Sequence, residues 1–328
     1  MIFEQKILVI RFSSIGDIVL TTSPLTTIRN AYPEAEISFL TLEKYAPILE
    51  HNSNIDRIIL FDQNMNVKDL LKFSDYIKNQ HYMKIYDLHN SLRSNIITFY
   101  NESSVYKIKK PRWNRFKLFQ FHKNDFSKNF STLKMYHDSL TDIWKEEDAI
   151  PATSLVVSHQ EKIKARETVG MNKYTTLIPG AAWNQKQWPA GNYIELINKS
   201  GINVVLIGSK KDEICHKIHS ALPSVINLAG KTNIREALAI ISGSHQVIGS
   251  DTGFCHAAEA LNIPVTMIMG PTSRETGGGI ILDKSVQVEK DLWCRPCSQN
   301  GKSPCYRKTQ FCINNIGVND IIQTLISS

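Results

Sequence analysis

The stretch Ile248-Gly-Ser-Asp-Thr-Gly-Phe-Cys-His256 has the pattern of a buried strand that turns directly into a helix. Ser250, Asp251 and Thr252 are residue types that cap the start of a helix. Gly253 has no side chain, so a ligand can approach the backbone closely there. The free amide groups and the positive dipole end of a helix start favour an anion. The stretch therefore indicates either an ordinary helix cap or an anion-binding turn at the carboxyl edge of a sheet.

A series of strands and helices surrounds this turn in the second half of the chain. Short apolar runs predict strands at 174–178, 204–208, 225–229 and 265–269. Polar loops follow these strands at 179–189, 209–213 and 270–273. Because the carboxyl ends of parallel strands lie along one edge of a sheet, we expect these loops to line a single cleft.

The first half of the chain shows the same alternation. Apolar runs predict strands at 6–11, 35–41, 55–61 and 83–87, with helical patterns between them. This order predicts a parallel sheet that helices cover on both faces. A turn-rich stretch at 150–154 separates the two series, and 328 residues are enough for two domains. No G-x-G-x-x-G pattern follows the first strand, which argues against a dinucleotide-dependent dehydrogenase.

The composition, 42 % hydrophobic and 21 % charged, is typical of a soluble globular protein. No apolar run approaches the roughly 20 residues that span a bilayer. The first residues, Met1-Ile-Phe-Glu-Gln-Lys6, do not have the pattern of a signal peptide. These features predict a cytoplasmic protein.

The net charge of +7 predicts an acidic partner, such as nucleic acid, an anionic membrane surface or a phosphorylated substrate. The stretch 106–117 interleaves six basic residues with aromatic ones. Nucleic-acid bases stack on such rings, and an acidic lipid or sugar binds such cations equally well. A solvated basic loop has the same composition. Charge alone does not distinguish between these alternatives.

Four of the six cysteines form a cluster within 19 residues: Cys294, Cys297, Cys305 and Cys312. In a cytosolic protein such a cluster indicates metal or redox chemistry more than disulfides. The first pair has the C-x-x-C spacing, whereas the second pair is wider than in common zinc sites. A structural metal at these four thiols stays an alternative, and we expect no catalytic metal. Cys215 and Cys255 are isolated and are expected to be buried thiols.

Six short motifs, in this order, resemble those of glycosyltransferase family 9, the ADP-heptose:lipopolysaccharide heptosyltransferases of Gram-negative bacteria. The resemblance covers nearly the whole chain. The motifs are Ile10-Arg-Phe-Ser-Ser-Ile-Gly-Asp17, Asp87-Leu-His-Asn-Ser-Leu-Arg-Ser94, Lys186-Gln-Trp-Pro189, Ser250-Asp-Thr-Gly-Phe-Cys-His256, Gly270-Pro-Thr-Ser273 and Cys294-Arg-Pro-Cys297.

The resemblance implies an α/β protein with the GT-B fold, in which two Rossmann-like domains with parallel sheets face a central cleft. By this resemblance, residues 1–155 bind the acceptor and residues 156–312 bind the nucleotide-sugar. The C-terminal helix, 313–328, is expected to pack back on the first domain. The implied reaction inverts the sugar carbon and needs no cofactor and no catalytic metal. The implied donor substrate is ADP-heptose.

Two residues carry the expected chemistry. Asp17 follows the first strand and is expected to be the base that takes the acceptor hydroxyl proton. Its alternative role is that of a helix N-cap or first-turn carboxylate. Lys186 is expected to stabilise the leaving diphosphate, together with the backbone amides after the central turn. The alternative for Lys186 is a solvated loop lysine.

The remaining candidates surround the two substrates. Asp251 is expected to cap its helix or to bind sugar hydroxyls, because a carboxylate that faces a diphosphate is repelled. His256 is either a donor to a phosphate or sugar oxygen or a packing residue. The expected donor-binding residues are Asp251, Thr252, Gly253, His256, Asp212, Glu213 and Thr272. The expected acceptor-binding residues are Ser14, His89, Arg93, Lys109 and Arg112.

The implied partners are the nucleotide-sugar donor and an acidic glycolipid acceptor, either Kdo-lipid A or a heptosylated core. We expect peripheral contact with the cytoplasmic face of the inner membrane and no nucleic acid. Ala181-Ala-Trp183 stands where family members often have a hydroxyl residue, so another nucleotide-sugar or acceptor is one alternative. A sugar-nucleotide epimerase with the GT-B fold is another, and a nucleic-acid-binding protein is a third.

Overall fold

A computed structural model describes residues 5–99, 101–276 and 278–325 of the protein. Its strands are β1 (Lys6–Ile10), β2 (Glu36–Leu42), β3 (Arg57–Phe61), β4 (Lys84–Asp87), β5 (Ser104–Lys107), β6 (Thr175–Ile178), β7 (Val204–Leu206), β8 (Ile226–Asn227), β9 (Gln246–Ser250), β10 (Val265–Ile268) and β11 (Val286–Val288). Its α-helices are α1 (Ile15–Leu20), α2 (Thr22–Ala31), α3 (Val67–Lys78), α4 (Leu92–Thr98), α5 (Arg112–Phe121), α6 (Thr132–His137), α7 (His159–Val169), α8 (Ala190–Ser200), α9 (Glu213–Ala221), α10 (Ile234–Ser242), α11 (Gly253–Ala260), α12 (Phe311–Asn314) and α13 (Val318–Ile322). Short 3-10 turns lie at Glu43–Leu49, Asn184–Lys186 and Arg274–Thr276.

The chain divides into two compact units. The first comprises Met1–Lys110 and Ser131–Val156, and the second comprises Pro111–Phe130 and Val157–Ser328. The predicted boundary at 155 is therefore close to the observed one. The segment Pro111–Phe130 differs from the prediction, because it leaves the first unit and packs with the second.

The first unit is built on a parallel sheet with the strand order β3-β2-β1-β4-β5. Residues Ile7–Ile10 of β1 are fully buried, as expected for a central strand with helices on both faces. The direction of the strand order reverses between β1 and β4, where Ile10 pairs with Asp87. The loops that follow these two strands therefore diverge around the crevice where ligands of α/β sheets bind.

The second unit has a parallel sheet with the order β11-β10-β9-β6-β7-β8. Here the strand order reverses between β6 and β9, where Ile178 pairs with Gly249. The loop after β6 and the quoted turn after β9 are thus neighbours at a second switch point. The predicted α/β class with two parallel sheets is confirmed. The edge strands β5 and β11, four and three residues long, were not predicted from the apolar pattern.

The C-terminal helix packs in the core of the second unit, and its expected packing on the first domain stays a prediction. Ile316 and Ile321 are fully buried in the core of the second unit, together with Trp188 and Leu196. The Trp188 indole donates to the Ile316 carbonyl over 2.8 Å. α13 packs on α8 of the second unit, because the apolar face of the helix continues that core. Residues 326–328 of the predicted C-terminal helix lie outside the described residues.

Helix α6 ends at His137, and turns follow to residue 144. Helix α8 extends over Ala190–Ser200. Among the described residues, no helix is long and apolar enough to cross a membrane.

Candidate functional site

The first candidate site lies at the switch point of the first sheet. Asp17 is in the first turn of α1, directly after the loop that follows β1. Its Oδ2 accepts hydrogen bonds from the Ser14 amide at 3.1 Å and the Ser14 hydroxyl at 2.9 Å. Its Oδ1 forms an ion pair with Arg11 at 2.7 Å and accepts from the Tyr136 hydroxyl at 3.2 Å. Asp17 is thus a first-turn carboxylate, yet 36 % of its side chain stays exposed.

The surroundings of Asp17 keep its carboxylate charged. Burial by itself would raise the pKa, but the Arg11 guanidinium and the two Ser14 donors outweigh it. The pKa of Asp17 is therefore lowered from its ordinary value. At neutral pH the group is an anion with one face open to a ligand.

Arg11 organises this site, and sequence analysis did not single it out. Its guanidinium is buried, donates to the carbonyls of Ser13 and Leu88, and lies 5.6 Å from the centre of the Tyr136 ring. It thereby links the loop after β1 to the loop after β4. The sequence did contain one signal for Arg11, because a basic residue directly follows the buried first strand. Arg11 also belongs to the first motif of the family resemblance. Tyr136, from α6, gave no local signal, because only the fold brings it to Asp17.

His89 and Ser14 lie on the two switch-point loops. The ring of His89 packs on Phe12, with the ring centres 4.8 Å apart. Burial, with the Arg11 and Lys110 charges, lowers the pKa of His89 to about 3. His89 is therefore neutral at pH 7. Its Nδ1 is buried and has no hydrogen-bond partner in the described part of the chain.

The other expected acceptor residues are less closely tied to Asp17. Arg93 is exposed on α4 and donates to the Gln63 carbonyl. Lys109 is exposed in the loop after β5. Arg112 begins α5, which belongs to the second unit. The structure therefore brings Ser14 into contact with Asp17, and it gives Arg93 a different partner.

The second candidate site lies at the switch point of the second sheet. Lys186 ends the 3-10 turn after β6, and its Nζ lies 2.8 Å from Oδ2 of Asp251, which follows β9. Thr272, in the loop after β10, donates to the same oxygen at 2.9 Å. Three loops from three neighbouring strands thus meet at one carboxylate. Burial opposes ionisation of Asp251, but Lys186, then His256, lowers its pKa below the ordinary value.

This geometry argues against one alternative for each of two residues. Asp251 does not cap α11, because its carboxylate accepts from Lys186 and Thr272. The N-cap residue is Thr252, whose side chain makes no capping hydrogen bond. Lys186 is not a solvated loop lysine, since only 13 % of its side chain is exposed. Gly253 is the first residue of α11, so the turn does lead into a helix start as predicted.

His256 is buried one turn into α11, beside a carboxylate that sequence analysis missed. Nδ1 of His256 is 3.9 Å from Oε2 of Glu259. The other oxygen of Glu259 accepts from the amides of Ile281 and Leu282 at 2.7 and 3.0 Å. Glu259 thus ties α11 to the segment after residue 278 and places its second carboxyl oxygen near the His256 ring. A glutamate within an alanine-rich helical stretch was the available signal.

Asp212 faces the same edge of the sheet. Its Oδ2 accepts from the Ser209 amide at 2.6 Å, and the carboxyl group packs against Gly180, in the loop after β6. Any Cβ at position 180 would collide with it. Glu213 is exposed in the first turn of α9. Asp212 therefore lies beside the second site, and whether either residue binds the donor stays a prediction.

The loop that carries the cysteine cluster covers Lys186. Gly301, with a φ of +80°, packs on the lysine stem so closely that a Cβ there would lie 2.5 Å from Cγ of Lys186. Gln310 donates to the carbonyl of Gln185. Arg295 donates to the carbonyls of Gly270 and Thr272. The loop therefore holds two of the three segments that meet at Asp251.

The four clustered cysteines are free thiols. Burial raises the pKa of Cys297 to about 11, with smaller effects from the other three thiols. Among the described residues, no three of these sulfur atoms lie within 4.8 Å of one another. The structural-metal alternative therefore gains no support from their geometry. Cys215 and Cys255 are buried thiols, as expected, and burial raises the pKa of each to about 12.

The two sites have complementary chemistry. The first offers a charged carboxylate beside a neutral imidazole, which suits binding a hydroxyl and accepting its proton. The second offers a lysine, a threonine hydroxyl and the amides of a helix start, which suit an anionic ligand.

The chain matches known proteins over most of its length. The family model described as glycosyltransferase family 9 (heptosyltransferase) matches residues 70–306. Lipooligosaccharide heptosyltransferase 2 of Haemophilus influenzae is 27 % identical over 294 residues, which cover 82 % of this chain and 84 % of the relative. Lipopolysaccharide heptosyltransferase 2 of Escherichia coli is 26 % identical with the same coverage.

A solved structure shows the same fold. The E. coli ADP-heptose lps heptosyltransferase II superposes with a TM-score of 0.76 and 22 % identity, covering 98 % of this chain and 97 % of that one. The matched region includes β4, the Lys186 loop and the Asp251 turn. This protein belongs to glycosyltransferase family 9, the heptosyltransferases, and is a glycosyltransferase.

Proposed function

We propose that this enzyme transfers heptose from ADP-heptose to an acidic glycolipid acceptor of the lipopolysaccharide inner core, with inversion at the sugar carbon. The acceptor is Kdo-lipid A or a heptosylated core. The observation that carries the proposal is the meeting of Lys186, Asp251 and Thr272 at the second switch point. The names of the similar proteins, lipopolysaccharide heptosyltransferases and an ADP-heptose enzyme, support the choice of donor and acceptor.

On the donor side, a diphosphate competes with Asp251 for the Lys186 ammonium group. In the ligand-free pair the lysine neutralises the carboxylate, so Asp251 does not repel an approaching anion. When the bond from the sugar carbon to the phosphate oxygen breaks, its electron pair stays on the ADP. Lys186 and the amides at the start of α11 stabilise that charge, and this route needs no metal and no cofactor.

On the acceptor side, the hydroxyl oxygen attacks the sugar carbon from the face opposite the leaving phosphate. Asp17 accepts the hydroxyl proton as the new bond forms. Its lowered pKa keeps it ready as an anion, and the exposed face of its carboxylate gives access. Arg11 and Tyr136 hold the Oδ1 oxygen of Asp17 in place. His89 is neutral and can bind a second acceptor hydroxyl.

The test is acceptor-dependent release of ADP from ADP-heptose, with and without EDTA. We expect release with Kdo2-lipid A or a heptosylated core, at the same rate in EDTA. Release without any acceptor would indicate hydrolysis or epimerisation instead. Release only from UDP- or GDP-sugars would reject ADP-heptose as the donor, and loss of activity in EDTA would reject the metal-free route.

Substitution of the two central residues tests the assigned roles. We expect Lys186→Ala to lower turnover about a hundred-fold or more, as for loss of one preorganised donor to a developing charge. Lys199→Ala, on the exposed end of α8, is the matched control. We expect Asp17→Asn to abolish most turnover, with Asp75→Asn on α3 as its control. Near-normal rates in either variant would remove that residue from the mechanism.

A lipid-anchored acceptor requires the enzyme to work at a membrane surface. We therefore also propose that the protein binds peripherally to the cytoplasmic face of the inner membrane. The net charge of +7 supports binding to an anionic surface.

A further inference from the structure

The second unit carries an unusual group of exposed aromatic side chains, which we name the aromatic belt. Its members are Trp113, Phe116, Phe121, Trp293 and Tyr306, and their exposed fractions are 63 %, 45 %, 68 %, 70 % and 63 %. Side chains of this size are seldom left so exposed on a soluble protein unless they meet a partner. None of them belongs to the two sites described above.

The belt is continuous, although its residues come from two distant parts of the sequence. On α5, Trp113 stacks on Phe116 with ring centres 5.3 Å apart, and Phe116 meets Phe121 edge-on at 5.9 Å. The belt then crosses to the cysteine-bearing loop through His122, whose ring lies 6.0 Å from Trp293.

Trp293 in turn meets Tyr306 at 6.4 Å, which completes the belt. Leu118 on α5 is buried, and the segment Pro111–Phe130 that contains it belongs to the second unit. The rings therefore form one surface that is held by the fold.

Basic residues surround these rings. Segments 112–128 and 293–310 contain nine lysines and arginines and a single acidic residue, Asp125. Lys117 neutralises Asp125 at 2.7 Å and also lies over the Trp113 ring. Arg307 lies over the Trp293 ring. The surface is thus both aromatic and strongly positive.

This combination selects one kind of partner. Tryptophan and tyrosine rings prefer the headgroup region of a bilayer, where one end of the ring is apolar and the other is wet. Lysines and arginines beside them attract anionic lipids. Protein interfaces, by contrast, enrich aromatic residues but deplete lysine.

We propose that the aromatic belt is the surface by which this protein docks on an anionic lipid bilayer, with Trp113 and Trp293 inserted at headgroup level. This inference goes beyond the proposed sugar transfer, because it assigns the lipid contact to named side chains of the second unit. It does not depend on which sugar the enzyme transfers.

The test is co-sedimentation of the full-length protein with vesicles. Vesicles of phosphatidylcholine with about one third phosphatidylglycerol are compared with phosphatidylcholine alone. We expect binding to the anionic vesicles that weakens as salt is raised, because salt screens the lysine–lipid attraction. Brominated lipids should quench the tryptophan fluorescence of the bound protein, since Trp113 and Trp293 are the most exposed of its tryptophans.

Substitutions distinguish the contribution of the aromatic rings to vesicle binding from that of the basic side chains. We expect Trp113→Ser with Trp293→Ser to lower the vesicle partition coefficient about ten-fold or more, since two large apolar contacts are lost. We expect Lys123→Gln and Lys308→Gln each to lower it about five-fold. The matched controls are Val67→Ala and Lys68→Gln on α3, which lie in the other unit and are exposed. A thermal melt checks that each variant is folded.

Three outcomes overturn the proposal. The double tryptophan variant can bind as tightly as the parent protein, or the anionic vesicles can bind without any quenching. In the third outcome, the tryptophan substitutions change the oligomeric state measured by light scattering and leave vesicle binding unchanged. That result would show that the aromatic belt is an interface between copies of the chain. Turnover on a water-soluble acceptor fragment, measured in parallel, shows separately whether the proposed transfer fails.

Discussion

At the scale of single residues, the first site depends on a buried network around Asp17. Arg11 holds one oxygen of the carboxylate and two backbone carbonyls, so it fixes the loop after β1 against the loop after β4. The same cation disfavours a second positive charge nearby. His89 is consequently neutral, with its pKa lowered to about 3, first by burial and then by Arg11 and Lys110.

His89 should therefore make stability depend on pH. Its pKa is lower in the folded protein than in an unfolded chain, where it is about 6.5. The folded state binds fewer protons, so stability falls as pH drops from about 6.5 toward 3. We expect His89→Gln to flatten this slope in urea unfolding between pH 7.5 and 4.5. His216→Gln, exposed on α9, should leave it unchanged, and an unaltered slope in the His89 variant would contradict the assignment.

Glu259 is a second residue whose effect can be predicted. Its Oε1 satisfies two amide groups, those of Ile281 and Leu282. Removing this acceptor leaves both amides unpaired, which costs roughly 2–4 kcal/mol of the free energy of unfolding. We expect Glu259→Ala to show this loss in urea denaturation, whereas Glu259→Gln keeps the acceptor and loses less. Glu213→Ala, on the exposed start of α9, should stay within about 0.5 kcal/mol.

At the scale of elements, the segment between β11 and α12 supports the second site. Gly301 packs on the stem of Lys186, and Arg295 holds the loop that carries Thr272. The segment between β11 and α12 also supplies Trp293 and Tyr306 to the aromatic belt. One segment thus contacts both the Lys186 site and the surface proposed to meet lipid, although no step of the proposed reaction uses its cysteines.

Gly301→Ala tests the support of Lys186. A Cβ at this position would lie 2.5 Å from Cγ of the lysine, and the φ of +80° disfavours any side chain. We expect turnover to fall at least about ten-fold, because small displacements of a catalytic group are costly. Gly170→Ala is the matched control, since its φ is +65° with nothing within 4 Å.

Gly170→Ala should cost about 1 kcal/mol of stability and leave turnover unchanged. Equal turnover in the two glycine variants would show that the loop does not position Lys186.

At the scale of the whole molecule, the two candidate sites belong to separate units, each with its own core. This division predicts that donor binding and acceptor chemistry respond to different substitutions. We expect Lys186→Ala to weaken ADP binding, measured by calorimetry, about ten-fold or more, since it removes a charged hydrogen bond. Asp17→Asn should leave ADP binding unchanged while turnover is lost. Weaker ADP binding in the Asp17 variant would contradict the division.

Much of the architecture follows from the sequence alone. Buried parallel strands appear in the sequence as short runs of branched apolar residues, so nine of the eleven strands in the described part of the chain were identified within a few residues of their observed ends. The edge strands β5 and β11 were missed, because partly exposed residues interrupt their apolar pattern. The contact of α13 with α8 and the second core was likewise not predicted. An amphipathic helix reveals that it has an apolar face but not which core that face joins.

The sequence by itself determined the two βα series, the turn after β9 and the importance of Asp17, Lys186 and Asp251. These features are local, since strand periodicity and turn residues are encoded over a few positions. Only the tertiary structure decided which partners those side chains have. Asp251 could have capped its helix, but the parallel sheet brings Lys186 and Thr272 to its oxygen from loops that are 65 and 21 residues away along the chain. Long-range contacts of this kind arise from strand order, which no short stretch of sequence encodes.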